Sequence, residues 1–202
     1  MRALLIALMV VTAACGHGQI QNLQLQWQGV DRPPRAIPNV QQALATMPLA
    51  LVVRDVRQDP TQVGTFEDDG FVVRTSMNVG QYAADKIGDM LRAAGARLTE
   101  PPVAGLEIEL VEYNVVEGGS FQGTVRLQVT VKKGANQTGW SKMYEGTSTR
   151  WGRTHNPENF NEALSNALAE ATQRLVTDYE FGLALTGPPP AVAPPPPGAP
   201  GG

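Results

Sequence analysis

The chain has 202 residues, of which 16 are basic and 19 acidic, and its formal charge at neutral pH is −3. A mildly acidic chain without a basic cluster is a poor candidate for a nucleic-acid-binding protein, because such proteins place dense Lys and Arg along one face. The single cysteine, Cys15, excludes an internal disulfide and a thiolate metal cage.

The first fourteen residues have the three-part layout of a secretory signal peptide. Arg2 supplies a positive charge, residues 3–11 form an uninterrupted apolar run, and residues 12–14 are small. As a helix the apolar run is roughly 14 Å long, whereas a bilayer core of about 30 Å needs around twenty residues. The sequence therefore predicts an exported protein from which residues 1–14 are removed. Because Arg2 is lost with them, the charge of the mature chain becomes −4.

Residues 11–15, VTAAC, resemble a bacterial lipobox, in which two small residues precede a cysteine that receives a diacylglyceryl group. The resemblance implies that Cys15 becomes the acylated first residue, although Thr12 stands where Leu is commonest. Two or three acyl chains, palmitate among them, would anchor the protein durably at about 0.8 kcal/mol per buried methylene. The alternative is an ordinary signal peptide cut after Ala14, with Cys15 a free thiol. Gly16 stands where inner-membrane lipoproteins of enterobacteria usually carry Asp, which implies the periplasmic face of the outer membrane.

Composition predicts one folded domain, preceded by a tether and followed by a disordered tail. Residues 15–47 are rich in Gln, Gly and Pro and are predicted to be a tether, in which the alternating Leu23, Leu25 and Trp27 could form a short edge strand. Residues 187–202 are half proline and carry no charged side chain, which predicts a disordered tail of polyproline-II character. The domain itself is predicted over residues 48–186.

The first half of the domain is predicted to contain one strand and one helix. Residues 49–53 are a continuous apolar run, which indicates a strand covered on both faces. A polar loop is predicted to follow as far as Asn78. From residue 79 to 94 apolar residues recur at helical spacing, with Asn78 able to cap the start of the helix and Gly95 its end.

The second half is predicted to be a three-stranded antiparallel meander over residues 106–116, 125–131 and 140–151, followed by a helix. Asn156 and Pro157 are typical of the first positions of that helix. The predicted fold is thus a single α+β domain in the order strand, helix, meander, helix. Both helices are expected to pack on one face of the sheet.

These features together resemble the YajG-type family of uncharacterised bacterial lipoproteins. The resemblance rests on the lipobox, on Asp55-Val56-Arg57 at the end of an apolar strand, on Gly64, and on the pattern N-x-x-N-F-N-x-A-L-x-x-A-L at residues 156–168. It covers roughly residues 45–180. Because the family has no established chemistry, the resemblance implies a location and a fold more than an activity.

No catalytic constellation is visible, and we expect neither a cofactor nor a metal site. His17 lies in the predicted tether and His155 in a loop, and neither has a second metal ligand nearby in the sequence. The acidic run at residues 67–69 does not have the spacing of a loop that wraps calcium. The sequence therefore predicts a protein that is not an enzyme.

Two groups of residues are candidates for a binding site. Asp55 and Arg57 share one face of a strand, where they could form either a structural pair or a ligand site. Trp140, Tyr144 and Trp151 are concentrated on the meander, where aromatic side chains either pack in the core or stack on a partner.

The function predicted from the sequence is a non-enzymatic binding or scaffold module of the cell envelope. Its predicted partners are the lipid bilayer, through acylated Cys15, and an unidentified envelope protein. A structural subunit of an envelope assembly, such as a secretion, flagellar or transporter accessory, is the alternative, and a cell-wall hydrolase is a third class.

Overall fold

The computed structural model describes residues 22–29, 34–68, 70–99, 102–133, 138–152 and 156–187. These residues form four helices and one seven-stranded sheet. In chain order the elements are α1 (Pro38–Thr46), β1 (Pro48–Asp55), β2 (Gln62–Phe66), β3 (Val72–Arg74), α2 (Val79–Ala93), β4 (Arg97–Leu98), β5 (Ala104–Gly118), β6 (Ser120–Lys133), β7 (Thr138–Trp151), α3 (Pro157–Val176) and α4 (Tyr179–Thr186).

The long strand β5 is the centre of the sheet. On one edge it pairs with β6 along its whole length, and β6 pairs in turn with β7, both antiparallel. Its other edge is shared by two parallel strands, β1 beside residues 104–110 and β2 beside residues 115–117. The short β4 continues the sheet outside β1, and β3 continues it outside β2.

The helices pack on one face of this sheet. Leu106, Ile108 and Leu110 of β5 face them and are fully buried. Helix α3 lies so close to β6 and β7 that Gly123 and Gly146 are required beneath it. A Cβ on Gly123 would lie 2.6 Å from the backbone oxygen of Ala163, and a Cβ on Gly146 would overlap the backbone oxygen of Ala167.

Both long helices begin as the sequence predicts. Asn78 accepts a hydrogen bond from the backbone N–H of Gln81, and Asn156 accepts one from that of Glu158. Beyond α2, Gly95 has a φ of +102°, a left-handed conformation that suits glycine, and the N–H of Ala96 donates to the oxygen of Leu91.

The predicted tether requires a correction, because residues 22–29 and 34–47 pack against the domain. Leu23 and Leu25 are buried, and α1 lies within the predicted tether. The segment is no regular edge strand, since it forms only an isolated bridge from Asn22 to Arg74.

The backbone of this N-terminal segment is hydrogen-bonded by side chains of α3, where an edge strand would be hydrogen-bonded by a neighbouring strand. The side chain of Asn161 accepts from the N–H of Gln26 at 3.0 Å and donates to the oxygen of Gln24 at 3.0 Å. One turn further along, Ser165 Oγ accepts from the N–H of Gln28 at 3.1 Å. Asn161 and Ser165 are themselves buried polar residues, and the segment satisfies them.

The α+β class and the single domain are confirmed, but the predicted order of elements is incomplete. Residues 58–78, predicted as a loop, contain β2 and β3, which are too short to show an alternating pattern. Gly64 in β2 leaves room for the ring of Phe160, since a Cβ there would lie 2.8 Å from it. The predicted last helix is divided into α3 and α4, since Asp178 caps a new helix start.

Candidate functional site

Asp55 and Arg57 form a buried ion pair between the end of β1 and the start of β2. Only 7% of the Arg57 side chain and 11% of the Asp55 side chain is exposed. The guanidinium contacts the carboxylate through both oxygens, with Nε–Oδ1 at 2.8 Å and Nη2–Oδ2 at 2.7 Å. A two-point contact of this kind fixes the orientation of both side chains.

The remaining N–H groups of Arg57 donate to backbone oxygens. Its Nη1 reaches Gln62 at 2.6 Å and Tyr113 at 3.2 Å, and its Nη2 reaches Pro60 at 2.7 Å. A guanidinium has five N–H donors. All five are thus used inside the protein, so Arg57 joins β1, β5 and the loop before β2 and keeps no N–H for a ligand.

Trp140 and Tyr144 attach α4 to β7. The Trp140 ring lies 6.3 Å from the Tyr144 ring and 5.9 Å from that of Phe181 on α4. Tyr144 is buried, and its hydroxyl donates to Asp178 Oδ2 at 2.7 Å. These two aromatic side chains therefore face the helices and not the solvent.

The contacts of Asp178 determine its charge. Burial alone would raise its pKa, but hydrogen bonds from Lys142 and Tyr144 hold the pKa of Asp178 below its usual value. Burial together with the hydrogen bond to Asp178 raises the pKa of Tyr144 well above its usual value. The carboxylate therefore stays charged and the phenol neutral at physiological pH.

Trp151 lies apart from the other two aromatic candidates. It is the last residue of β7, opposite Ser120 at the start of β6, and 76% of it is exposed. It lies seven positions after Tyr144 in the strand, which at about 3.3 Å per residue is more than 20 Å. The predicted aromatic group is therefore not one surface, and Trp151 is its only strongly exposed member among the described residues.

The opposite face of the sheet carries no helix in the part of the chain that the structure describes, and we call it the open face. Charged side chains of neighbouring strands form ion pairs on this face. Arg126 lies 2.6 Å from Glu145 and 3.2 Å from Glu112, and Lys132 lies 2.7 Å from Glu107. Between them the strands carry Gln and Thr, and also the exposed apolar side chains of Val52, Val116 and Met143, so the open face is mixed in character and its charges largely neutralise one another. Sequence patterns did not single out these residues, because outward polar residues are expected on any half-exposed sheet.

The outer edge of β7 pairs with no strand in the described ranges, but it is partly covered. Glu170 of α3 accepts a hydrogen bond from the backbone N–H of Thr147 at 2.7 Å. Lys142 and Arg150 on the same edge form ion pairs with Glu180 and Glu162 of the helices. Charges and capped backbone groups of this kind discourage pairing with another strand.

Some predicted features lie outside the described residues: the signal peptide, Cys15, His17, His155 and the tail beyond Gly187. Within the described ranges, no three His, Cys, Asp or Glu side chains come close enough together to hold a metal ion. No described helix combines the length and the apolar character that crossing a membrane requires.

Fold and site together define the chain as an α+β domain with one helix-covered face and one open face. Residues 34–186 match the family described as "Uncharacterized lipoprotein", and the chain belongs to this family. The predicted YajG-type membership is confirmed. No curated protein is significantly similar to the chain in sequence.

Solved structures with a similar fold share little sequence with the chain. XCC0632 from Xanthomonas campestris, of the family DUF330, is 14% identical, with 78% of this chain and 92% of that one covered and a TM-score of 0.51. A protein from Caulobacter crescentus CB15, provisionally described as a lipoprotein, is also 14% identical, with coverages of 74% and 97% and a TM-score of 0.46. At these identities the similarity is one of fold alone.

Proposed function

We propose that the protein is a non-enzymatic binding or scaffold module of the cell envelope. In this proposal Cys15 is acylated after removal of residues 1–14, and the lipid holds the domain at the periplasmic face of the outer membrane. Membership of a lipoprotein family supports the anchoring, and the short apolar run before Cys15 supports export.

The start of the folded segment limits the distance of the domain from the membrane. Asn22 is held by Ser76, whose N–H donates to Asn22 Oδ1 at 3.0 Å, and the N–H of Leu23 donates to the oxygen of Arg74. Seven residue steps separate Cys15 from Asn22, which fully extended span at most about 25 Å. The anchor would therefore confine the domain close to the lipid surface and raise its effective concentration for partners there.

The observation that carries the proposal is the open face. It extends across β5, β6 and β7, and its side chains are held in register by the ion pairs of Arg126 and Lys132. Because the outer edge of β7 is covered in part by Glu170, the open face is the better contact surface for a partner. The alternative, a subunit that assembles with its own copies through a free edge, predicts oligomers of the purified protein, whereas we expect a monomer by light scattering.

A site-specific cross-linking experiment in intact cells tests the proposal. A photo-activated side chain at Thr130, on the open face, should capture an envelope protein reproducibly. The same side chain at Asn166, on the helical side, serves as the matched control. Equal capture from both positions, or none from Thr130, would contradict the choice of the open face.

The anchor is tested separately. Cys15→Ser should release the protein from the membrane fraction or leave its signal peptide uncut. If the variant were still cleaved and membrane-bound, the proposed lipid anchor would be wrong.

A further inference from the structure

The outer edge of β1 is paired over only a short part of its length. Strand β4 lies beside it at Pro48 and Leu49, and beyond Leu49 no strand follows this edge in the part of the chain that the structure describes. On its inner edge β1 pairs with β5 as far as Asp55. Because β4 is so short, it leaves a free stretch of β1 that begins at Ala50.

Two residues of this stretch direct their backbone groups outward. The N–H of Val56, just after β1, donates to the oxygen of Leu110 in β5, so the even-numbered residues of this segment direct their backbone groups towards β5. Successive residues of a strand direct these groups to opposite edges. Leu51 and Val53 therefore each present an N–H and a C=O at the outer edge. An edge of this kind is a template for another strand.

The two outer edges of the sheet differ in how they are protected. On β7 a helix carboxylate caps the N–H of Thr147, and charged side chains flank it. On β1 residues 50–53 are Ala-Leu-Val-Val, with no charge and no proline, and their register with β5 is continuous. The devices that natural sheets use against strand addition are thus present on β7 and missing from this stretch of β1.

A groove of about 870 Å³ runs along the free stretch of β1. Residues 49–52 form one side of it, and α2 forms the other with Ala84 and Gly88. A Cβ on Gly88 would meet Leu51 at 3.6 Å and Leu98 at 3.8 Å, which are ordinary contacts, so packing within the domain does not require glycine there. Glycine is also less favourable than alanine inside a helix. Its small size leaves room beside the edge of β1.

The groove also has a charge that a ligand could pair with. Asp85 of α2 accepts a hydrogen bond from Gln81 at 2.9 Å and has no ion pair among the described residues. Asp89 is already paired with Arg92 at 3.0 Å. The ammonium group of Lys86 lies over an aromatic ring of the same helix, 5.8 Å from the centre of the ring. Asp85 is therefore suited to a basic side chain of a ligand.

We propose that the outer edge of β1 binds an extended segment of another protein as an added strand, in line with β4. The backbone of the segment would bond to Leu51 and Val53, small apolar side chains at alternate positions would lie beside Gly88, and a basic side chain would reach Asp85. On the other side of the added strand Val52, which is 41% exposed, would gain an apolar neighbour. The inference goes beyond the proposed function, because this edge and the open face are different surfaces and either could bind without the other.

Amide hydrogen exchange, measured by NMR on the full chain in detergent, tests whether the edge is free. The amides of Leu51 and Val53 should exchange at least about tenfold faster than those of Val52 and Arg54, which bond to β5. Slow exchange at all four positions would mean that another part of the chain or a second copy already covers the edge, and would overturn the proposal.

A model peptide then tests the strand addition. The probe is the acetylated and amidated peptide Lys-Thr-Val-Thr-Val-Thr-Lys, titrated into the same NMR sample. We expect saturable binding that slows exchange at Leu51 and Val53 and leaves Val52 unchanged. The same peptide with proline in place of both valines lacks two N–H groups and should not bind. Replacing both of its lysines by glutamate should weaken binding, because Asp85 repels them.

Two variants of the protein make the result specific to the groove. Gly88→Ala should fold at least as stably as the wild type, yet should weaken peptide binding by about threefold or more because it narrows the groove. Val53→Pro removes one outward N–H without removing a hydrogen bond to β5, and should weaken binding by about tenfold or more. Asn166→Ala on α3 is the control and should leave binding unchanged.

Circular dichroism checks the fold of each variant, and Gly88→Ala provides a test even if Val53→Pro fails to fold. Absence of saturable binding by the valine peptide would overturn the proposal. Equal binding of the valine and proline peptides, or equal affinity of the wild type and Gly88→Ala, would also overturn it.

Discussion

On the helix-covered face of the sheet the backbone of α3 rests directly on β6 and β7, with glycines at the points of contact. On the open face the same strands carry Arg126, Gln128 and Lys132, whose ends reach water and neighbouring charges. One face tolerates almost no added volume, and the other is held together by contacts that water can replace. The stability of the domain therefore resides on the covered face and depends little on the side chains of the open face.

The largest expected effect comes from exchanging one glycine on each face for valine. Gly146→Val should lower the free energy of unfolding by about 4 kcal/mol or more, because its Cβ would overlap the backbone of Ala167 and Ala171. Gly105→Val on the open face should change it by less than about 1 kcal/mol, since its Cβ would meet Lys132 at an ordinary distance of 3.7 Å. Urea unfolding of both variants measures the difference, and similar losses would contradict the contrast between the faces.

The next effect concerns the buried ion pair that joins β1 to β5. Arg57→Ala should destabilise the domain by about 3–4 kcal/mol, because it leaves the Asp55 carboxylate and three backbone oxygens without their donor. Arg54→Ala is the control, since Arg54 is exposed and lies 3.9 Å from Glu107. Its loss should cost less than about 0.5 kcal/mol by chemical unfolding. A small effect at Arg57 would mean that this ion pair and its hydrogen bonds contribute little to the stability of the fold.

A moderate effect is expected where α3 holds the N-terminal segment. Asn161→Ala should cost about 1–3 kcal/mol, because the backbone groups of Gln24 and Gln26 lose their partner. Hydrogen exchange at the Gln26 amide should become faster, while Asn166→Ala should leave it unchanged. If exchange at Gln26 were unaffected, the segment would be held by its buried leucines alone.

The long elements could be predicted from the sequence because their signals are local. Alternating apolar residues define β6, and helical spacing together with Asn78 and Asn156 defines α2 and α3. The short β2 and the N-terminal segment could not be predicted, because their partners are distant in the chain: Gly64 lies against Phe160, and Gln26 against Asn161. A Gln-rich segment whose backbone is hydrogen-bonded by helix side chains has the same composition as a solvated tether, so composition alone could not distinguish the two.

The candidate site was predictable only in part, for a related reason. Asp55 and Arg57 are close in sequence, so their pairing could be anticipated. The three backbone oxygens that accept the remaining N–H groups of Arg57 could not be anticipated, because the fold brings them there. Strand β5 contains a bulge between Leu110 and Glu112, and this bulge leaves a trace in the sequence, because the apolar alternation of the strand shifts by one residue between Leu110 and Tyr113.

The smallest effect concerns the polar link between α4 and β7 and depends on pH. The pKa of Asp178 is lowered in the folded state, so its contacts stabilise the fold above the pKa of an unfolded aspartate, about 3.9, and are lost as the pH falls through the folded pKa. The melting temperature of the wild type should therefore fall between about pH 5 and pH 2 more steeply than that of Asp178→Asn. The difference should be modest, because Lys142 and Glu180, the other charges of this group, are largely exposed. Parallel curves for the two proteins would show that Trp140 and Phe181, by apolar contact alone, hold α4 on the sheet.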